Sequence, residues 1–113
     1  MRHSVICKQW NVVVVPFPFT EQAGTKRRPA LVLSKKTFND HGYTLLLMIT
    51  TKAHQAWPGD TEITHFQISG LSRTCVVRLK AFTLDNRLIL KRLGALSARD
   101  RRLVAQHVQQ YLI

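Results

Sequence analysis

Short apolar runs separated by turn-forming residues fill the chain as far as residue 82. They predict β-strands over residues 11–16, 29–34, 44–50, 62–68 and 74–82. The segments between these runs are rich in glycine, proline, asparagine and aspartate, which is typical of tight turns. Short strands joined in this way predict a compact antiparallel sheet or a small β-barrel.

The last segment of the chain has a different periodicity. Ser97-Ala98-Arg99-Asp100 resembles a helix capping box with aspartate in place of the more usual glutamate or glutamine. Apolar residues then recur at helical spacing, at Leu103, Val104, Val108, Tyr111 and Leu112. A C-terminal amphipathic helix is therefore expected to close a mainly β fold. Its polar face is expected in solvent, and contact with RNA is the less favoured alternative. The segment 84–93 fits either a short strand or a short helix.

Length and charge narrow the range of functions. The 113 residues make one domain, residues 1–113, with enough chain for one core. Seventeen Lys and Arg against six Asp and Glu give a formal charge of +11, which predicts nucleic acid or an acidic protein as a partner. The alternative is that the basic residues only keep the surface solvated.

Cysteine and histidine positions predict neither a disulfide framework nor a metal site. Cys7 and Cys75 are far apart, and the five histidines show no ligand spacing. Inert thiols in a reducing cytosol are expected, with no metal and no cofactor. No apolar run approaches membrane-spanning length, and no signal peptide is evident, so a soluble, cytoplasmic protein is predicted.

Arg28 is the first candidate for chemistry. Pro29 restricts Arg28 to extended backbone conformations, and a guanidinium held in this way suits a phosphate, to which it donates two parallel hydrogen bonds. A surface arginine beside a strand-initiating proline is the equally good alternative. Thr50, near the end of the run 45–51, offers a hydroxyl to a phosphate oxygen, although a β-branched residue also simply suits a strand end.

Two other charged residues are candidates by position. Glu21 lies in the loop that leads to Arg28, where it is expected to act as a base or to hold that arginine; a surface carboxylate is the alternative. Arg78 falls inside the apolar run 75–79, where a charge is costly unless it reaches a groove or a partner.

The loop after Thr51 carries two candidates of lower priority. His54 is the histidine best placed to exchange protons, although loop histidines are usually only exposed. Trp57 offers a flat face on which an unpaired base can stack, or it covers the edge of the barrel.

Five blocks of the sequence carry family information: VVVVPFPFT (12–20), KRRPALVLS (26–34), the strand end MITT (48–51), CVVRLKAFTLDNRLILKRLG (75–94) and the helix start at Leu96-Ser97. Together they resemble the MazF/PemK family of toxin endoribonucleases from type II toxin–antitoxin systems. VPFPFT followed at this interval by RRPALVLS is the most specific part. The resemblance covers most of the chain.

This resemblance implies a small SH3-like, CcdB-like β-barrel that forms a homodimer and cuts single-stranded RNA without metal. It implies that Arg28 and Thr50 form the active site, and that the ribose 2′-OH attacks the adjacent phosphate to leave a 2′,3′-cyclic phosphate and a 5′-OH. The cognate partner would be an acidic antitoxin. The expected catalytic residues are Arg28, Thr50 and Glu21. The expected RNA-binding residues are Lys26, Arg27, Thr51, His54, Trp57, Arg78 and Lys80.

Two departures from the family pattern affect this interpretation. Many members begin the first strand with Gly-Asp, where this chain has Trp10-Asn11, and some carry an acid where this chain has Lys80. The identity of the base therefore stays open. A non-catalytic SH3-like module that binds nucleic acid or antitoxin is the alternative, and a gyrase-poisoning toxin is disfavoured because residues 109–113 show no gyrase-binding motif.

Overall fold

The computed structural model describes residues 6–16, 26–51 and 55–113. Within these ranges there are six strands: β1 Asn11–Pro16, β2 Arg27–Val32, β3 Tyr43–Thr51, β4 Thr61–Glu62, β5 Cys75–Asp85 and β6 Lys91–Ala95. Two helices, α1 Lys36–Asn39 and α2 Ala98–Tyr111, and a 3₁₀ turn at Asn86–Leu88 complete the described elements. The predicted mainly β fold with a C-terminal helix is confirmed.

The strands form one antiparallel sheet in the order β4-β5-β3-β2-β1-β6. A bulge in β5 opposite Leu47 and Met48 interrupts its longest ladder, and bulges increase the local twist of a sheet. The sheet curls until the turn after β4 reaches β6, where Ala95 N–H donates to Ile68 O at 3.4 Å. A Cβ on Gly94 would lie 2.4 Å from the same oxygen, so this closure requires glycine.

Alternating side chains give the sheet two buried faces. One face carries Val13, Val15, Ala30, Val32 and Leu46, and we call it the site face. The opposite face, the helix face, carries Val12, Leu31, Leu47, Ile49 and Val77, and it packs against Val104 and Val108 of α2. The central strand β1 is buried on both sides, which explains its unbroken valine run.

The C-terminal helix begins where the sequence predicts. Ser97 has extended backbone geometry, and its hydroxyl accepts a hydrogen bond from Asp100 N–H at 3.1 Å, as expected of an N-cap residue. Among the described residues, no helix combines the length and the apolar character that crossing a membrane requires.

The predicted strand over 62–68 is largely wrong. The strand comprises only Thr61 and Glu62, which pair with β5, and a last hydrogen bond to β5 runs from Ile63 N–H to Cys75 O at 2.8 Å. Residues 66–70 form turns in which Leu71 N–H donates to Phe66 O at 3.0 Å. The chain leaves the sheet because Thr64 Oγ1 and His65 N–H donate instead to the buried Asp100 carboxylate, at 2.7 and 3.0 Å.

The other boundaries shift by a few residues. The second strand starts at Arg27 rather than Pro29, the third extends by one residue at each end, and the fifth continues to Asp85. The ambiguous segment 84–93 divides into the end of β5, the 3₁₀ turn and the start of β6. The short helix α1 has no counterpart in the prediction, since its four residues are too few for a periodic pattern.

Trp10, which stands at the glycine position of the Gly-Asp pattern, adopts a φ of 76°. This left-handed region favours glycine and is costly for a bulky side chain. The conformation is held by Trp10 N–H donating to Val32 O at 2.8 Å and by Leu96 N–H donating to Trp10 O at 3.0 Å. The ring packs against the apolar cluster of the helix face, which offsets the backbone strain.

Candidate active site

Arg28 and Thr50 lie on adjacent strands and share the site face. Arg28 pairs with Val15 across β1 and β2, so it projects from the same face as that core residue. The β2–β3 register sets Ala30 opposite Met48. If the same register is extended by two residues, Arg28 falls beside Thr50. Neighbouring strands are about 5 Å apart, so the guanidinium and the hydroxyl can reach one bound anionic group together.

The local environment restrains the Arg28 side chain. Arg28 is half-buried, as are Pro29 and Thr50, and its Nε atom is buried. A guanidinium whose inner end is enclosed loses less conformational freedom when it binds an oxyanion than one that moves in solvent. The strand and its proline therefore present a cation that is already oriented.

Arg78 lies further along the site face, opposite Met48, and only 8% of it is exposed. Its Nε donates to Asp60 Oδ1 at 3.2 Å, and its Nη2 donates to Asp60 Oδ2 at 2.9 Å and to the Gln55 carbonyl at 3.1 Å. The charge that is costly inside an apolar strand is thus compensated by a carboxylate of the same chain.

Trp57 stands beside this ion pair. The Arg78 guanidinium carbon is 5.1 Å from the centroid of the indole ring, and Lys80 Nζ is 6.0 Å from it, both within cation–π range. The tryptophan is nevertheless 42% exposed. The structure therefore groups Trp57, Arg78 and Lys80 next to the row that holds Arg28 and Thr50.

Other predicted site residues are placed differently. Lys26 and Arg27 are exposed, and so is Thr51. Because side chains alternate along a strand, Arg27 and Thr51 project from the face opposite to that of Arg28 and Thr50. Glu21 and His54 lie outside the described residues.

Two acids that the sequence-based candidates omit are brought to the site face. Asp60 pairs with Arg78, and Glu62 lies opposite Val76, the residue that faces Thr50 from β5. Neither acid belongs to a local motif, because the two-residue strand β4 gives no periodic pattern. The available signal is scarcity: the whole chain has only six acids, and two of them fall within 60–62.

The cysteines do not contribute to this site. Both are buried and free, and burial raises the pKa of the Cys7 and Cys75 thiols, with Arg92 and Arg73 respectively opposing that effect. Both thiols therefore stay protonated at neutral pH. Across the described ranges, no three His, Cys, Asp or Glu residues are grouped so that they could hold a metal ion.

These features define a class of small, basic β-proteins with an arginine–threonine pair on a curled antiparallel sheet. The family model described as "PemK-like, MazF-like toxin of type II toxin-antitoxin system" matches residues 8–112. The chain therefore belongs to the PemK/MazF family of type II toxins, as its sequence motifs indicate.

Solved structures of this family share the fold. MazF from Deinococcus radiodurans is 26% identical, with a TM-score of 0.71 over 96% of this chain and 97% of that one. A MazE–MazF structure from the same organism is 28% identical, with a TM-score of 0.64 over 94% and 92%. An endoribonuclease with its cognate antitoxin from a mycobacterial species is 16% identical, with a TM-score of 0.71 over 94% of each chain. Among curated protein sequences, no significant match is found.

Proposed function

We propose that this protein is a metal-independent, sequence-selective endoribonuclease, the toxin of a type II toxin–antitoxin module. The observation that carries the proposal is that Arg28 and Thr50 lie on neighbouring strands and share one face of the sheet, two residues beyond the paired Ala30 and Met48. Family membership supports it, and the +11 charge suits a polyanionic substrate.

In the proposed reaction, the ribose 2′-OH of single-stranded RNA gives its proton to a base and attacks the neighbouring phosphorus. The bond to the 5′-oxygen of the next nucleotide breaks, and that oxygen takes up a proton. The products are a 2′,3′-cyclic phosphate and a 5′-OH end. Arg28 donates to non-bridging phosphate oxygens and stabilises the charge that develops on them, while the Thr50 hydroxyl donates to the same group. Since the nucleophile is part of the substrate, the protein has to supply orientation, charge stabilisation and proton transfer.

Proton transfer requires a group that approaches the 2′-OH. Glu21 is the candidate in the loop before Arg28, and Glu62 is a second carboxylate on the row of Thr50. Two strand spacings, about 10 Å, separate the backbones of Glu62 and Thr50. A bound nucleotide can span such a gap, so both carboxylates are candidate bases.

Cleavage of a long single-stranded RNA in EDTA tests the proposal. The wild-type protein is expected to cut at a limited set of sites and to leave cyclic phosphate ends. Arg28→Ala is expected to slow cleavage by about 100-fold or more, because it removes the main oxyanion donor. Thr50→Val removes one hydroxyl and is expected to have a smaller effect in the same direction.

The matched control is Arg101→Ala, which removes the same charge from an exposed position on α2 and is expected to keep full activity. An RNA with a single 2′-deoxy nucleotide at a mapped site should resist cutting there. Absence of cleavage by wild type, or equal cleavage by Arg28→Ala, would leave a non-catalytic binding module as the better description.

We further infer an acidic antitoxin as the protein partner, and a homodimer as the active assembly. The structural neighbours include MazF with MazE and an endoribonuclease with its cognate antitoxin. The basic surface of the protein (+11) attracts an acidic segment for the same electrostatic reason that it attracts RNA. Such a segment would inhibit the toxin by occupying the substrate's place.

A further inference from the structure

Asp60 is an acid in the middle of a surface that we assign to a polyanion. By charge alone it opposes RNA binding, since like charges repel across a water-excluded contact. The side chains of Asp60 and Arg78 are only 16% and 10% exposed, and their two parallel hydrogen bonds form a bidentate pair. Because Asp60 is largely buried and paired with Arg78, we expect its main effect to be on the position of the residues that it contacts rather than on the charge of the surface.

The pair fixes the segment 55–60 at both ends. Arg78 Nη2 holds the Gln55 carbonyl at 3.1 Å, and Asp60 Oδ2 accepts from Trp57 N–H at 2.9 Å. Asp60 N–H in turn donates to Trp57 O at 3.1 Å. The backbone of Trp57 is therefore tied to Asp60 in both directions, and Asp60 is tied to the strand that carries Arg78.

The Asp60–Arg78 pair also restrains the position of the Trp57 ring. The Arg78 guanidinium that binds Asp60 lies 5.1 Å from the indole centroid, so one set of contacts holds both the backbone and the ring. A ring that is restrained in this way and still 42% exposed suits stacking with an unpaired base. Any nucleobase can stack on it, because each has a π-face.

We propose that Asp60 is a positioning residue: through Arg78 it holds Trp57 as a stacking platform for a nucleobase beside the Arg28–Thr50 row. The proposal rests on RNA as the substrate of the proposed function. It assigns the subsite to a base rather than to a phosphate, because Asp60 and the Gln55 carbonyl take the Nε and Nη2 donors of Arg78 and the Asp60 carboxylate compensates its charge.

The test exploits the sign of the charge change. Asp60→Asn removes a negative charge, so simple electrostatics predicts tighter binding of nucleic acid, whereas loss of the platform predicts weaker binding. The probe is a fluorescein-labelled 12-nucleotide DNA of mixed sequence, which lacks the 2′-OH needed for cleavage, and its affinity is measured by fluorescence anisotropy. Asp60→Asn is expected to weaken binding at least threefold.

Companion variants isolate stacking. Trp57→Ala is expected to weaken binding about tenfold, and Trp57→Phe to retain most of the affinity. The matched control is Asp40→Asn, which makes the same charge change at an exposed carboxylate on the surface pair with Lys36 and is expected to leave affinity unchanged or slightly higher. Binding by Asp60→Asn that equals or exceeds wild type would overturn the proposal, as would unchanged binding by Trp57→Ala.

A second measurement does not depend on nucleic acid. Acrylamide quenching of tryptophan emission, with Trp57→Phe used to subtract Trp10, is expected to increase in Asp60→Asn as the ring loses its support. Unchanged quenching in a variant with native circular dichroism would contradict the positioning role. If the wild type and the Asp60 and Trp57 variants bind DNA as expected but the wild type cuts no RNA, the proposed enzymatic function fails, while the proposed role of Asp60 and Trp57 in binding a base is retained.

Discussion

Glu62 shows how a residue with no sequence motif can become a candidate for catalysis. It is exposed, and it reaches the row of Thr50 only because β4 pairs with β5 in a register that sets Glu62 opposite Val76. A carboxylate on this row is placed to take a proton from a 2′-OH held near Arg28. The loop acid Glu21, which is chosen from its position in the sequence, competes for the same role.

Comparison of Glu62→Gln with Glu21→Gln decides between the two acids. Glu62→Gln is expected to lower kcat by about 100-fold, as loss of a general base does, and to leave KM unchanged or lower because a negative charge is removed. The measurement is the pH dependence of single-site cleavage, in which the acidic limb of the profile should disappear. Full activity of Glu62→Gln with an inactive Glu21→Gln would assign proton transfer to Glu21.

Arg78 illustrates how far sequence reasoning reaches for a single side chain. A charge inside the apolar run 75–79 indicates that Arg78 needs a partner, and the structure supplies Asp60. The sequence does not indicate which acid it is, because the pair joins β5 to the residue that precedes β4, 18 positions earlier in the chain. A direct contact between Arg78 and RNA stays a prediction.

A buried carboxylate near the start of helix α2 links the helix to the segment that follows β4. Asp100 is fully buried and accepts from Thr64 Oγ1 and His65 N–H at 2.7 and 3.0 Å. Burial by itself raises the pKa of the Asp100 carboxyl, but these hydrogen bonds and the nearby His65 outweigh it, so the pKa lies below its usual value. The folded state therefore favours the ionised form.

Asp100→Asn is expected to lower the free energy of unfolding by about 1–3 kcal/mol at pH 7, since a charge-assisted network loses its acceptor. A depressed folded pKa contributes stability that is complete above the ordinary aspartate pKa and is lost as the pH falls through the folded value. Urea unfolding at pH 7 and pH 3 should therefore show a smaller gap between wild type and variant at pH 3.

The exposed Asp40→Asn serves as the control for that experiment. Its salt bridge with Lys36 is on the surface, where such pairs contribute little, so its effect should be close to zero at pH 7. If the difference in free energy of unfolding between wild type and Asp100→Asn is the same at both pH values, the assigned role of the carboxylate is contradicted.

The elements differ in how clearly the sequence marks them. The first strand follows from its apolar run and the start of α2 from Ser97, since both signals are local. The turn at 66–70 does not, because its apolar residues look like a strand and only the capture of Thr64 and His65 by Asp100 removes them from the sheet.

The charge of the chain predicts a strong salt dependence of nucleic-acid binding. With +11 on 113 residues, a bound single strand releases counterions as its phosphates are neutralised. For about four phosphate contacts, the affinity should fall roughly 50-fold between 50 and 200 mM salt, following a slope of about 0.7 per contact. The same DNA probe measured by anisotropy checks this.

Arg28→Ala provides the internal reference for the salt titration. Loss of one phosphate contact should reduce the slope of log affinity against log salt by about 0.7, while Asp40→Asn should leave the slope unchanged. A wild-type affinity that is insensitive to salt would rule out phosphate contacts as the main source of binding.

The sequence by itself determined the family, the mainly β class with its C-terminal helix, the candidate arginine–threonine pair and the basic character of the surface. Each of these depends on local pattern, on composition or on a motif whose residues are contiguous. Only the tertiary structure decided which acids reach the site face and which predicted residues project from the other side. Strand register sets those relations, and a shift of one residue would send every side chain to the opposite face, so no local stretch of sequence contains them.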